Sequence, residues 1–319
     1  MMHSAADAVP GNDRCGVLRL VGVGRTVADL PAAIAFYRDA LGLALVADVH
    51  DAQTPEVRLL GCGAARIAWL ALGAQRLQLV AFRSPGRAMP PDGNCADLWF
   101  QHIAVVSPSI EAAWRRVRAH AVMPLTRDGP QRLPEQAGGV TAFKFRDPEG
   151  HPVELIHFPG SWPKDPPQAP GDLLTAGIDH SAIAVADTDR SVGFYTQVLG
   201  LHEAAQQINR GIEQARLDDL PDPVVDVVAL EPSQRSTPHI ELLGYRTPRG
   251  RPAPDSRPND LLSDRLILDV TNLRALVAAI AKAGCPIVSP GCVSLAGGHA
   301  ALVRDPDGHL LELRERGAA

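Results

Sequence analysis

The sequence predicts an α+β protein assembled by tandem duplication from four modules of β-α-β-β-β order. FYRDALGL, beginning at Phe36, recurs as FYTQVLGL at Phe194, and RDPEGHPVEL, beginning at Arg146, recurs as RDPDGHLLEL at Arg304. Both pairs are separated by 158 positions, and a constant offset shared by two unrelated motifs marks an internal repeat. Within each repeat, short stretches of strand character surround two amphipathic segments of helical period.

In the first module, LRLVGVGRTV reads as a strand and DLPAAIAFYRDALG as a helix, with Asp29 as N-cap, Ile34, Phe36, Tyr37 and Leu41 on the apolar face, and Gly42 as the stop. Strands are expected near Val57 to Leu60, Ile67 to Leu72 and Leu77 to Phe82, before a Pro/Gly/Asn loop from Ser84 to Asn94. The second module opens at WFQHIAVV, continues through the helix IEAAWRRVRAH, and ends with TAFKFRD, a DPEG turn and HPVELIHF. The third opens at GIDHSAIAV and the fourth at SDRLILDV. The implied organisation is a disordered tail over 1–16, a first domain over 17–158 (modules one and two), a proline-rich, semi-rigid linker over 159–172, and a second domain over 173–315 (modules three and four).

Composition narrows the function. The 319 residues carry a formal net charge of -5 and no Lys/Arg cluster, so nucleic acid and anionic lipid are not expected partners; a small molecule is. Cys15, Cys62, Cys95, Cys285 and Cys292 are odd in number and lack Cys-x-x-Cys spacing, which argues against a disulfide framework or thiolate zinc site and for a reducing cytoplasm. The first residues lack the basic and apolar regions of a signal peptide, and no apolar run is long enough for a membrane span.

The motifs V-x-D before the first helix of each half (Val27 to Asp29, Val185 to Asp187), FY-x-x-x-LGL and RDP-x-GH-x-x-EL resemble those of the vicinal oxygen chelate superfamily, which includes glyoxalase I, methylmalonyl-CoA epimerase, extradiol dioxygenases and bleomycin-resistance proteins. The resemblance covers about residues 17–315. It implies two glyoxalase-like cupped sheets built from paired modules, each cup holding a divalent metal through one residue on each first strand and one on each last strand. Counting seven residues back from Asp29 and Asp187 gives Gly22 and His180, and the strand starts QHIAVV and DRLILDV give His102 and Arg265. The last strands offer Gln78, Glu154, Glu241 and Glu312, each flanked by aliphatic residues.

A carboxylate in that frame faces the enclosed side, where it needs a cation or a donor. Arg265 suits Glu312 as a bidentate salt-bridge partner and cannot itself ligate a metal. If neighbouring modules pair, each cup lacks a ligand. If the halves exchange modules, modules two and three collect His102, Glu154, His180 and Glu241, and modules one and four collect the losses; this arrangement is preferred because it sorts the ligand types together. Two imidazoles and two carboxylates suit one divalent Zn, Ni, Fe, Co or Mn ion. His151 and His309 are read as turn residues, and His157 and His239 as facing away from the Glu side.

The resemblance then implies a metal-dependent lyase or isomerase that moves a proton next to a carbonyl through an enediolate-like intermediate, with Glu241 or Glu154 as the mobile base and Glu241 preferred. Two alternatives stay open: an Fe(II) ring-cleaving dioxygenase and a non-catalytic drug-binding resistance protein. Asn209, Glu213 and Gln214 are read either as substrate contacts or as a solvated hairpin, and Tyr245 to Asp260 as a lid or an inter-module loop. Four modules on one chain permit a monomer or a homodimer.

Overall fold

The computed structural model describes residues 15–49, 54–160, 162 and 174–317. The tail up to residue 14 and nearly all of the proline-rich linker lie outside the described residues.

Module one comprises β1 (Gly16–Thr26), α1 (Leu30–Leu41), β2 (Ala44–Val49), α2 (Pro55–Leu60), β3 (Ala65–Leu72) and β4 (Gln75–Phe82). Asp29 caps α1 by accepting from the Ala32 amide, and Gly42 ends it in the left-handed conformation, φ 73°, as the sequence indicates. One expected strand is corrected. Residues 55–60 form α2, because the Thr54 hydroxyl caps the Val57 amide, Pro55 sits in the first turn, and Gly61 supplies a left-handed stop. The missing strand is the exposed β2, whose six residues bury too little to show an apolar alternation.

Module two contains β5 (Gln101–Val106), α3 (Ile110–Arg118), the two-residue strands β6 (Met123–Pro124) and β7 (Gln131–Arg132), β8 (Thr141–Arg146) and β9 (Pro152–His157). Module three contains β10 (Gly177–Ala184), α4 (Thr188–Gly193) running into a π-helical turn at Phe194–Val198, β11 (His202–Arg210), α5 (Ile212–Asp218), β12 (Val224–Glu231) and β13 (His239–Thr247). Module four contains β14 (Arg265–Thr271), α6 (Leu273–Lys282), β15 (Val293–Leu295), β16 (Gly298–Arg304) and β17 (Leu310–Arg316).

The halves exchange modules. One sheet runs β15-β16-β17-β14-β1-β4-β3-β2, joining modules four and one; the other runs β11-β12-β13-β10-β5-β9-β8-β6, with β7 on β8, joining modules three and two. The repeats over 17–158 and 173–315 therefore follow one another along the chain, but each contributes one module to each sheet. Strand alternation decides what each face carries. Ile103, Val105, Val153 and Leu155 enter a core shared by both sheets and the helices, whereas Ala104 and Ile156 join a separate cluster on the concave side. His102 and Glu154 have the parity of the concave set.

The repeated motifs are bolts between the sheets. Tyr37 of module one donates to Asp147 of module two at 2.6 Å, and Tyr195 of module three donates to Asp305 of module four at 3.0 Å. His151 contacts Asp147 and lies within 3.1 Å of the Thr26 and Leu261 carbonyls, while His309 lies 2.8 Å from the Ala184 carbonyl. Both histidines are turn residues that lock neighbouring modules, as expected from their place in the DP-x-GH turn. All five cysteines are free. Among the described residues no helix is long and apolar enough to cross a membrane.

Candidate metal centre

Four side chains from four strands converge at the head of the concave face of the second sheet. β5 and β10 are antiparallel neighbours at its centre, pairing His180 with Ala104 and Ala182 with His102; β9 and β13 flank them, pairing Glu154 with Ala104 and Glu241 with Ala182. His102 Nε2 lies 3.1 Å from Glu154 Oε2 and 3.3 Å from His180 Nε2. His180 Nε2 is also 3.5 Å from Glu154 Oε2 and 3.4 Å from Glu241 Oε2. The exchange of modules thus brings His102, Glu154 and His180 within 4.8 Å of one another at their ligand atoms, and Glu241, the fourth position expected from the sequence, reaches the group through His180.

A residue not foreseen completes the setting. The register of β10 against β5 slips between Ile178 and His180, leaving Asp179 without a partner on β5. Adjacent strand residues normally face opposite ways, but this bulge lets the Asp179 carboxylate accept from His180 Nδ1 at 2.9 Å. Trp162 Nε1 holds the other carboxylate oxygen at 2.7 Å. Because a carboxylate only accepts, His180 keeps its proton on Nδ1 and turns Nε2 toward His102, Glu154 and Glu241. His102 has no such support; its buried Nδ1 finds no partner among the described residues. The bulge also occurs in β1, between Leu20 and Gly22, where Val21 replaces the aspartate. An Asp immediately before a predicted strand ligand was the available signal.

The electrostatics are those of a cation site. Burial pushes the His180 imidazolium down, but Glu241, Asp179 and Glu154 outweigh it and hold the group well above the usual histidine value. Burial pushes the Glu154 carboxyl up, yet His102, His180 and Lys144 hold it well below the carboxylate range. Burial likewise opposes ionisation of Glu241, and His180 and His239 reverse the effect. The donor set fits a divalent ion: two imidazole nitrogens bound at about 2.0–2.1 Å with angles near 90–109° stand about 3 Å apart, and the two Nε2 atoms here are 3.3 Å apart.

The other sheet repeats this register with different residues. Gly24 pairs with Arg265 and Gln78, and Ile267 with Glu312, so Arg265 stands in the place of His102, Gln78 in that of Glu241, Glu312 in that of Glu154 and Gly22 in that of His180. Arg265 Nε donates to Glu312 at 2.7 Å and Nη2 donates to Gln78. Arg314 Nε takes the other Glu312 oxygen at 2.7 Å. The expected Arg265–Glu312 pair is present, and a buried guanidinium occupies the region where the first quartet collects its ligand atoms. Gly22 is held to glycine by packing, since a Cβ there would lie 2.0 Å from the Arg76 carbonyl oxygen.

The intact quartet opens into a cavity of about 210 Å³. Its walls are mostly apolar, from β8, β9, β12 and β13, with Lys144, Asn209, Gln214 and Tyr245 among the polar groups. Asn209 and Gln214 therefore face the enclosed space, and the segment read as a possible hairpin is the end of β11 followed by α5. Glu213, grouped with them on the sequence, is outside the lining. His239, expected to face away from Glu241, shares its side: two residues apart on one strand, they approach to 3.5 Å, Nε2 to Oε1. Of the stretch from Tyr245 to Asp260, residues 245–247 end β13 and the rest is an inter-module loop, fastened where Arg251 bonds Asp97 at 2.7 Å and where a Cβ on Gly250 would lie 1.7 Å from the Ala96 carbonyl oxygen. Of that stretch, Tyr245 lines the cavity.

Comparison with solved structures finds the same fold in glyoxalase I from Zea mays, with 16% identity over 93% of this chain and 92% of that one and a TM-score of 0.62. A "putative dioxygenase" from Bacillus subtilis subsp. subtilis str. 168 is similar over 95% of this chain and 87% of its own, with 12% identity and a TM-score of 0.58. At these identities the likeness concerns the fold. A comparison with curated protein sequences finds no match. The model of the Glyoxalase/Bleomycin resistance protein/Dioxygenase superfamily matches residues 19–155 and again 177–313, one match for each repeat, and the chain belongs to that superfamily.

Proposed function

We propose that this protein is a metal-dependent lyase or isomerase that moves a proton on the carbon next to a carbonyl in a small oxygenated molecule. The observation that carries this reading is the convergence of His102, Glu154 and His180 at 3.1–3.5 Å, with Glu241 joined to them through His180 at 3.4 Å, at the head of a mostly apolar cavity. A divalent Zn, Ni, Fe, Co or Mn ion held by these four residues would supply Lewis acidity toward vicinal substrate oxygens. His102, Glu154 and His180 form a group of two histidines and one carboxylate, the set used in oxygen activation; Glu241, 3.4 Å from His180, adds a second carboxylate, and that addition favours proton transfer.

Glu241 is the better placed base. Its side chain is 20% exposed where that of Glu154 is 6%, and Glu154 is held by both His102 and His180. Glu241 Oε1 lies beside His239, so this oxygen has a neighbour that steadies it when the carboxylate turns toward substrate. The apolar walls exclude water from the reacting carbon, and Asp179 keeps His180 Nε2 aimed at the centre.

The test is solvent deuterium exchange at the carbon next to the carbonyl, followed by NMR, for a panel of 2-oxoaldehyde thiol adducts and α-hydroxy ketones with metal-loaded protein. Exchange that is lost in Glu241→Gln, with metal content retained, supports the reading. Oxygen consumption with catechols and Fe(II), without exchange, would replace it with ring-cleaving dioxygenase chemistry.

A further inference from the structure

We infer that Gln214 and Asn209 form a second recognition point in the cavity, which accepts hydrogen bonds from a donor group of the substrate, a hydroxyl or amide N–H set apart from the oxygens that meet the metal. The inference deepens the proton-transfer reading and rests on its metal centre.

Asp218 is a buried carboxylate behind the cavity wall. Lys144 Nζ donates to its Oδ1 at 2.7 Å, and Gln214 Nε2 and Tyr245 OH donate to its Oδ2 at 2.6 and 2.9 Å. Three side chains that line the cavity thus turn donors onto Asp218, and the charge of Lys144 is matched there. This contact also settles the orientation of the Gln214 amide. A carboxylate cannot donate, so the nitrogen faces Asp218 and Oε1 is left as the acceptor.

Gln214 is 3% exposed, and its Oε1 has no partner among the described residues. Asn209 is 7% exposed, and its Oδ1 is likewise unpartnered. A buried acceptor without a donor is costly, so two of them on residues of one cavity wall mark a place where a donor belongs. Both residues also border a neighbouring cavity of about 200 Å³, sharing that boundary with Leu133 and Ala137. Both residues therefore stand where the metal-bearing cavity meets the next one. A substrate that fits has vicinal oxygens at one end, an apolar body along β8, β9 and β12, and a donor where the cavities meet.

Benzohydroxamate chelates metals through two adjacent oxygens and serves as the probe, measured by calorimetry against the Zn(II)-loaded full chain. Ring-substituted hydroxymethyl and carboxamide derivatives are compared with their O-methyl and N,N-dimethyl counterparts. At least one donor-bearing member is expected to bind about five- to tenfold more tightly than its blocked partner, the range of a net hydrogen bond. That ratio should fall toward one in Gln214→Met or Asn209→Leu, and using a ratio removes any general loss of binding in the variants. Equal binding within every pair, or a preference unchanged in both variants, overturns the subsite while benzohydroxamate binding leaves the metal centre standing. Failure of unsubstituted benzohydroxamate to bind Zn(II)-loaded protein overturns both.

Discussion

His102 and His180 belong to different repeats, 78 positions apart, yet their Nε2 atoms meet at 3.3 Å across the junction of β5 and β10. This junction is where module two meets module three, so the candidate metal centre depends on the exchange of modules between halves. The equivalent junction, β1 with β14, carries Gly24 opposite Arg265 and holds a guanidinium network instead.

Metal content should follow this division. Protein purified without an affinity tag is expected to hold about one divalent ion per chain, lost in His102→Ala and in His180→Ala and kept in Arg265→Ala. Elemental analysis of the three variants beside wild type decides it; metal lost in Arg265→Ala alone would place the centre in the other sheet and overturn the assignment.

Arg265→Ala should instead unfold more easily. Removing the guanidinium leaves Glu312 and Gln78 buried, with Arg314 still bonded to Glu312, and the expected cost is at the low end of a broken buried ion pair, about 3 kcal/mol. Urea midpoints at neutral pH measure it.

Asp179→Asn keeps the size of the side chain but loses the carboxylate that fixes the His180 tautomer. Metal affinity should fall about 10–100-fold, the usual effect of losing an outer hydrogen bond to a ligating histidine. A competing chromophoric chelator reads this directly, and an unchanged affinity would leave Asp179 with a purely structural role.

Stability should depend on pH through His151. Burial pushes its imidazolium down, but Asp147 and Asp264 outweigh that and raise the folded value above the ordinary one of about 6.5. A raised value means that the contribution is fully present below about pH 6.5 and is lost as pH rises through the folded value. Asp147 moves the other way, burial raising it and His151, Arg25 and Tyr37 lowering it further, so its contribution is already constant above about pH 5. The stability gap between wild type and His151→Gln should therefore narrow between pH 6 and 9 in urea titrations; a gap that widens contradicts the ion pair.

Gly22→Ala tests how far the decayed quartet has been rebuilt. The added methyl meets the Arg76 carbonyl oxygen at 2.0 Å within the paired strands β1 and β4, so backbone must shift, at about 1–3 kcal/mol. A neutral Gly22→Ala would mean that β1 gives way more readily than its pairing suggests.

The sequence by itself determined the duplication, the α+β module order and the caps of α1, because these rest on repeat offset, strand alternation and local capping; the four candidate ligand positions came from the family resemblance of its motifs. It misplaced α2 as a strand, since six apolar-rich residues carry no clear period and only the Thr54, Pro55 and Gly61 contacts decide for helix. It also set His239 on the far side, although its even spacing from Glu241 puts both on one face. Tertiary structure alone decided that modules two and three share a sheet, because both pairings satisfy the same local patterns and only hydrogen bonding between β5 and β10 separates them. The same holds for Asp179 and Gln214. A bulge formed against β5 brings the first to His180; the second is tied to Asp218 four residues on within α5, and only the packing of α5 against the sheet puts it on the cavity wall.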